Sequence, residues 1–173
     1  MKLVSLVLAA IVYVAVFPSA AFAQTGPAAR PGPAGAQVYA SDFKTDAGAA
    51  WSRRDLATSP GGTKFLGPFT NDTVTLALKD LPRHTHVRLE FDLYAIGSWD
   101  GNWDLPLHGP DMVSARVDGG ALLLWSSFHV NKAERGEWQN PKDGRLWQSF
   151  PDHHPADNPP VGGASAQKTL GYD

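Results

Sequence analysis

Seven residues, Ser98-Trp99-Asp100-Gly101-Asn102-Trp103-Asp104, followed by Gly109-Pro110-Asp111, concentrate the chemistry of this chain. Asp100, Asn102 and Asp104 stand at alternate positions around Gly101, and Asp111 lies a short loop away. Oxygen ligands so spaced, with a glycine to ease the bend, suit a hard cation, and calcium is the candidate ion. The pattern lacks the closing bidentate Glu of an EF-hand loop, and no helical pattern flanks it. Asp and Asn also satisfy backbone donors in turns, and turn chemistry is the commoner role. Trp99 and Trp103 flank Gly101 at equal distance. Exposed indoles stack on flat apolar partners such as sugar rings; the commoner alternative is that they plug a core, since Trp is highly buried on average.

The elements that position this loop read as strands. From His86 to Ile96, Val87, Leu89, Phe91 and Leu93 alternate with Arg88, Glu90, Asp92 and Tyr94. That period of two predicts a strand with one face toward a core and one toward solvent or ligand. Glu90, Asp92 and Tyr94 therefore join Trp99 and Trp103 as candidate ligand-binding residues. Further strands are expected at Gln37–Phe43, Lys64–Gly67, Thr73–Leu78, Met112–Val117 and Ala121–Phe128, with turns at Ser59–Gly62 and Asp118-Gly119. No helical period persists for three turns. Short strands with frequent turn signals predict an all-β, antiparallel sandwich over residues 37–130.

The ends have different compositions. Lys2, the apolar run Leu3–Phe17 and the small-x-small pattern Ala21-Phe22-Ala23 predict a signal peptide over residues 1–23, with the mature chain starting at Gln24 and secreted or periplasmic. The run falls short of the ~20 residues of a membrane span, so no membrane insertion is expected after cleavage. Residues 24–36 form a Gly/Ala/Pro leader. Residues 131–173 hold few apolar positions and many Pro and Gly. They read as a long loop or a disordered tail, because structureless loops beyond ~15 residues are uncommon inside compact domains. A net charge of −2, mixed along the chain, gives no reason to expect nucleic acid. The absence of cysteine excludes a disulfide framework.

Phe65-Leu66-Gly67-x-Phe69-x-Asn71-Asp72-Thr73-Val74-x-Leu76, Leu81-Pro82-x-His84-Thr85, Phe91-Asp92-Leu93-Tyr94, Ser98-Trp99-Asp100-Gly101-Asn102 and Gly109-Pro110-Asp111 together resemble motifs in a group of secreted bacterial concanavalin-A-like or jelly-roll sandwich domains. The resemblance spans roughly Val38 to Asp173. It implies a jelly-roll sandwich whose relatives continue past Thr169-Leu170-Gly171-Tyr172, so this sandwich would be incomplete at its C-terminus. Glu90 and Asp92 also resemble part of the carboxylate run of laminarinase-like glycoside hydrolases, but Tyr94 and Ala95 stand where the third carboxylate belongs. A retaining mechanism needs two carboxyl groups ~5 Å apart, so no enzyme activity is expected. His84-x-His86 is a two-ligand zinc geometry without an obvious third ligand. The sequence thus predicts a secreted, non-catalytic binding or adhesion module, with an extracellular glycan as leading ligand class and another protein as the alternative partner. A structural or interaction domain and, further off, a hydrolase are the rival functions.

Overall fold

In the computed structural model, residues 5–17, 36–102, 110–130 and 147–172 are described. Regular structure among them is entirely strand: β1 (Ser5–Phe17), β2 (Ala36–Ser41), β3 (Leu56–Thr58), β4 (Lys64–Phe69), β5 (His86–Ile96), β6 (Met112–Arg116) and β7 (Leu122–Ser127). The protein is all-β, built from small antiparallel sheets. One sheet has the order β2-β1-β4-β3, with β5 also pairing β1, and a second holds β6 and β7. The chain divides into two compact units, residues 1–6, 69–71 and 95–173 in one and residues 7–68 and 72–94 in the other.

In the second unit, β3 and β4 form a hairpin with Leu56 opposite Leu66 and Thr58 opposite Lys64. Ser59 closes its turn: its N–H donates to Thr63 O at 2.9 Å, and its hydroxyl accepts from Thr63 N at 3.1 Å. Gly62 takes the φ of +86° that the turn requires. Phe43, Phe65, Leu66, Ala47 and Trp51 are buried. Trp51 meets Phe43 and Tyr39 edge-on, with ring centroids 5.8 and 6.5 Å away. Its indole N–H donates to Tyr39 Oη at 2.7 Å, so burying the ring leaves no polar atom stranded. On the surface Arg53 joins Asp55 at 2.9 Å and Asp72 at 2.7 Å. Hydrogen bonding to Asp55 is the main cause of the raised Arg53 pKa.

Thr73–Leu78 departs from expectation. It is extended but forms no strand, and its one bridge is Leu76 to Trp51. Its partner, the Ala50–Ser52 stretch, is too short for a ladder. Thr75 O accepts from Ser52 N, Ala77 N donates to Ala50 O, and Thr75 N donates to the Ser52 hydroxyl, which replaces a backbone acceptor. A period of two needs only a half-covered surface, not a full-length partner strand.

Burial along β5 also differs from the expected core and solvent faces. His86 through Glu90 are exposed on both faces, whereas Leu93 through Ile96 are half-buried on both. Val87 and Leu89 are 50% and 40% exposed. Burial therefore changes along the strand, and alternation alone did not reveal how far the cover extends.

The residues that read as a signal peptide form β1. Val12 pairs with Ser41, Val14 with Tyr39 and Val16 with Ala36, with an irregularity between Val14 and Ala15. β1 satisfies backbone groups of β2, β4 and β5. A chain beginning at Gln24 would leave those edges open. It is expected to unfold at a clearly lower temperature than the full chain, as followed by circular dichroism. Equal melting would show β1 to be dispensable.

Candidate functional site

Trp99, Asp100, Gly101 and Asn102 follow β5 and are held by backbone from several directions. Val130 N donates to Trp99 O at 3.2 Å, and Asp100 bridges His129. Gly101 N donates to Phe128 O at 2.9 Å, Asn102 N donates to Trp147 O at 2.8 Å, and Asp111 N donates to Gly101 O at 3.2 Å. A Cβ on Gly101 would stand 2.1 Å from Trp147 O, and the φ of +67° is left-handed. Glycine is required here on both counts.

Trp99 is 2% exposed. Its indole N–H donates to Ile96 O at 3.1 Å, and its ring meets Phe128 edge-on at 5.9 Å. Phe128 in turn stacks on Phe150 at 4.9 Å. Gly163 lies against that stack, where a Cβ would come within 2.7 Å of the Phe150 ring. Trp99 is thus a core plug whose faces are covered by protein, and not the exposed stacking platform that its spacing allowed. Trp103 and Asp104 lie outside the described residues.

Two of the oxygens proposed for a cation, on Asn102 and Asp111, are engaged in protein contacts. Asp111 Oδ2 accepts from Asp100 N at 2.5 Å. Asn102 Oδ1 accepts from the hydroxyls of Ser127 and, at 2.9 Å, Ser149. Asn102 Nδ2 donates to Ala156 O at 2.6 Å and to Asp157 Oδ1 at 3.0 Å. Among the described residues no group of three His, Cys, Asp or Glu side chains is placed to hold a metal ion. His84 Nδ1 pairs with Pro82 O at 2.6 Å and His86 Nδ1 with Thr85 Oγ1 at 3.0 Å, so each of these nitrogens is committed to a local contact.

Glu90, Asp92 and Tyr94 lie in the other compact unit from Trp99 and Asn102. Arg88 and Glu90 form an exposed ion pair on one face of β5, and Asp92 is exposed beside them. Tyr94 packs edge-on against the buried Phe65, 6.3 Å between centroids. It serves packing, unlike its two acidic neighbours.

The residues that composition did not single out are Gln148, Ser149, His154 and Asn158. Gln148 is 1% exposed; its amide oxygen accepts from His129 N at 3.1 Å, and its amide nitrogen donates to Phe150 O and Gly162 O, both at 2.8 Å. Gln148 and Asn158 exchange two backbone bonds, and Asn158 Nδ2 donates to Ser149 O at 2.7 Å. Along β7, Phe150 N donates to Ser127 O, His154 N to Trp125 O, and the Ser126 hydroxyl to Asp152 O. Residues 147–172 are therefore an irregular, turn-rich segment tied to β7 by backbone and side-chain hydrogen bonds. Residues 131–146 lie outside the described residues.

Ser149 Oγ lies 2.9 Å from His154 Nδ1, a spacing compatible with a nucleophile and its base. Ser149 is, however, wholly buried, and its hydroxyl also contacts Asn102. With the Ser149 proton directed to Asn102 Oδ1, His154 Nδ1 must carry the proton of the shared bond. The arrangement orients a loop, since no reacting group can approach that oxygen as placed.

Comparison of the chain with protein-family models, with curated proteins and with solved structures gave no match.

Two substitutions separate a structural from a metal-binding role for this loop. Gly101→Ala is expected to destabilise the protein by at least ~3 kcal/mol, because backbone must move. Asn102→Asp loses the two amide donors and sets a carboxylate against Ala156 O and Asp157, for an expected loss of about 2–4 kcal/mol in denaturant unfolding. Were Asn102 a calcium ligand, Asn102→Asp would instead keep its stability when calcium is supplied.

Proposed function

We propose that the chain is a secreted, non-catalytic binding or adhesion module, with a β-sandwich of jelly-roll type as its fold. The observation that carries this reading is the distribution of exposed apolar side chains on strands. Val87 and Leu89 on β5, and Leu122, Leu123 and Trp125 on β7, are exposed on regular backbone. Apolar groups on strands can serve as recognition surfaces when a partner covers them. The candidate nucleophile Ser149 is buried and residues 99–102 of the loop are held by the protein's own hydrogen bonds, which supports binding over catalysis. Another protein is therefore the leading partner class.

A glycan is the second reading, favoured by Trp125. Its indole is 38% exposed on β7 and lies opposite Ser114 on β6, an aromatic face beside a hydroxyl. Calcium is the candidate ion for the loop, with Asp100, Asn102, Asp104 and Asp111 as its ligands in competition with the protein hydrogen bonds of Asn102 and Asp111. The signal-like composition of residues 1–23 supports export; cleavage after Ala23 would remove β1 and increase the strand edge open to a partner.

Three measurements test these statements. N-terminal sequencing of exported protein should begin at Gln24, and retention of Met1 or Lys2 would remove the cleaved-signal reading. Trp125→Ala should abolish any glycan-array signal without lowering the melting temperature by more than a few degrees, because a half-exposed ring has little packing to lose. An ion at the loop would raise the melting temperature as free calcium rises. Identical melting in calcium and in chelator would exclude it.

A further inference from the structure

We infer that Asp118-Gly119, in the turn between β6 and β7, is a site of spontaneous backbone modification, where the aspartate isomerises through a succinimide to isoaspartate. The sequence offers three Asp-Gly pairs: Asp100-Gly101, Asp118-Gly119 and Asp143-Gly144. Asp143-Gly144 lies outside the described residues. As sequence the other two are equivalent, because the reaction depends first on a following residue that has no side chain. The fold separates them.

The chemistry is contained in the dipeptide. The glycine backbone nitrogen attacks Cγ of the aspartate and an N–Cγ bond forms. The carboxyl hydroxyl leaves with the amide proton as water. Water then opens the resulting imide ring on one side or the other. Breaking the N–Cγ bond returns aspartate. Breaking the original peptide bond leaves isoaspartate, with the main chain running through Cγ and a free α-carboxylate beside it. The net change is an isomerisation, and water is the only co-reactant.

Ring closure requires a glycine N–H that no acceptor holds, a carboxyl group able to swing toward it, and open space around the pair. Asp118-Gly119 meets each requirement. Gly120 N donates to Val117 O at 2.9 Å and Val117 N donates to Ala121 O at 2.9 Å, so the turn is closed by bonds on either side of its central peptide. The N–H of that central peptide belongs to Gly119 and has no acceptor among the described residues. Asp118 is exposed, and its carboxyl group is in no ion pair or hydrogen bond among the described residues. Nothing lies within 4 Å of the place a Cβ on Gly119 would occupy.

Asp100-Gly101 fails on the same counts. Gly101 is buried and its N–H donates to Phe128 O at 2.9 Å. A Cβ there would stand 2.1 Å from Trp147 O. This pair reacts only after local opening, which slows it by the fraction of time spent open. At Asp118 the product lengthens the main chain of the turn by one atom, and that turn sets Arg116 opposite Leu122. The inference is independent of the binding reading, because it uses no ligand or partner.

The test is incubation of the full chain in mildly acidic buffer at physiological temperature. Peptide mapping with electron-transfer fragmentation then separates isoaspartyl from aspartyl products. Isoaspartate at position 118 should accumulate at least about tenfold faster than at position 100. In denaturant the two rates should converge, since the peptide surroundings then differ only in sequence. Asp118→Glu keeps an exposed carboxylate in the turn but needs a larger, slower-forming ring, so it should give no isomer at that position. Equal rates at positions 100 and 118 in the folded chain would overturn the proposal. So would the absence of isomer at position 118, or a rate ratio that denaturant leaves unchanged.

Discussion

The carboxamide of Asn102 connects stretches of chain that lie far apart in sequence. Its oxygen takes the hydroxyls of Ser127 at the end of β7 and of Ser149 beyond it, and its nitrogen reaches Ala156 and Asp157. A buried polar group without a partner is costly, by roughly 1–3 kcal/mol each. The four contacts therefore stand or fall together. With no cysteine to staple this unit, a carboxamide and two serine hydroxyls fasten the irregular segment to the strands.

Around that fastening the aromatic stack follows. Trp99 enters the core because Gly101 turns the chain immediately after it, and Phe128 receives it because Gly101 N is bonded to Phe128 O. Phe150 completes the stack because Phe150 N is bonded to the last residue of β7. Packing and hydrogen bonding thus define the same positions twice. The other unit uses the same strategy on a smaller scale, where the Trp51 indole is placed by Tyr39 Oη and by edge-on contact with Phe43.

Much of the strand content was legible in the sequence. β5 was marked by alternation, the β6–β7 hairpin by Asp118-Gly119, and the β3–β4 turn by Ser59-Pro60-Gly61-Gly62, because each signal is local. Three features were not. Thr73–Leu78 alternates like a strand but meets a partner of only three residues. Ser5–Phe17 has the composition of an export signal, and apolar β-branched residues suit a membrane translocon and a sheet equally well. Gln148, Ser149 and Asn158 have no periodicity, because they hold an irregular segment through side-chain amides and a hydroxyl rather than through a regular ladder. At the candidate site, residue types alone could not separate an indole that stacks on a ligand from one that fills a core. The difference lies in what covers Trp99, which is supplied by Phe128, twenty-nine residues further along the chain.

Gly101 gives the loop an evolutionary meaning distinct from its chemical one. Any side chain at this position collides with the Trp147 carbonyl and must adopt a left-handed backbone. Selection would therefore hold Gly101 fixed even in descendants that had lost every ligand, and the flanking Trp99 with it. Invariance of the Trp-Asp-Gly-Asn stretch across related genes would record the demands of folding. The exposed positions on β5 and β7 carry no such steric constraint, and there substitution would be free of this demand of folding.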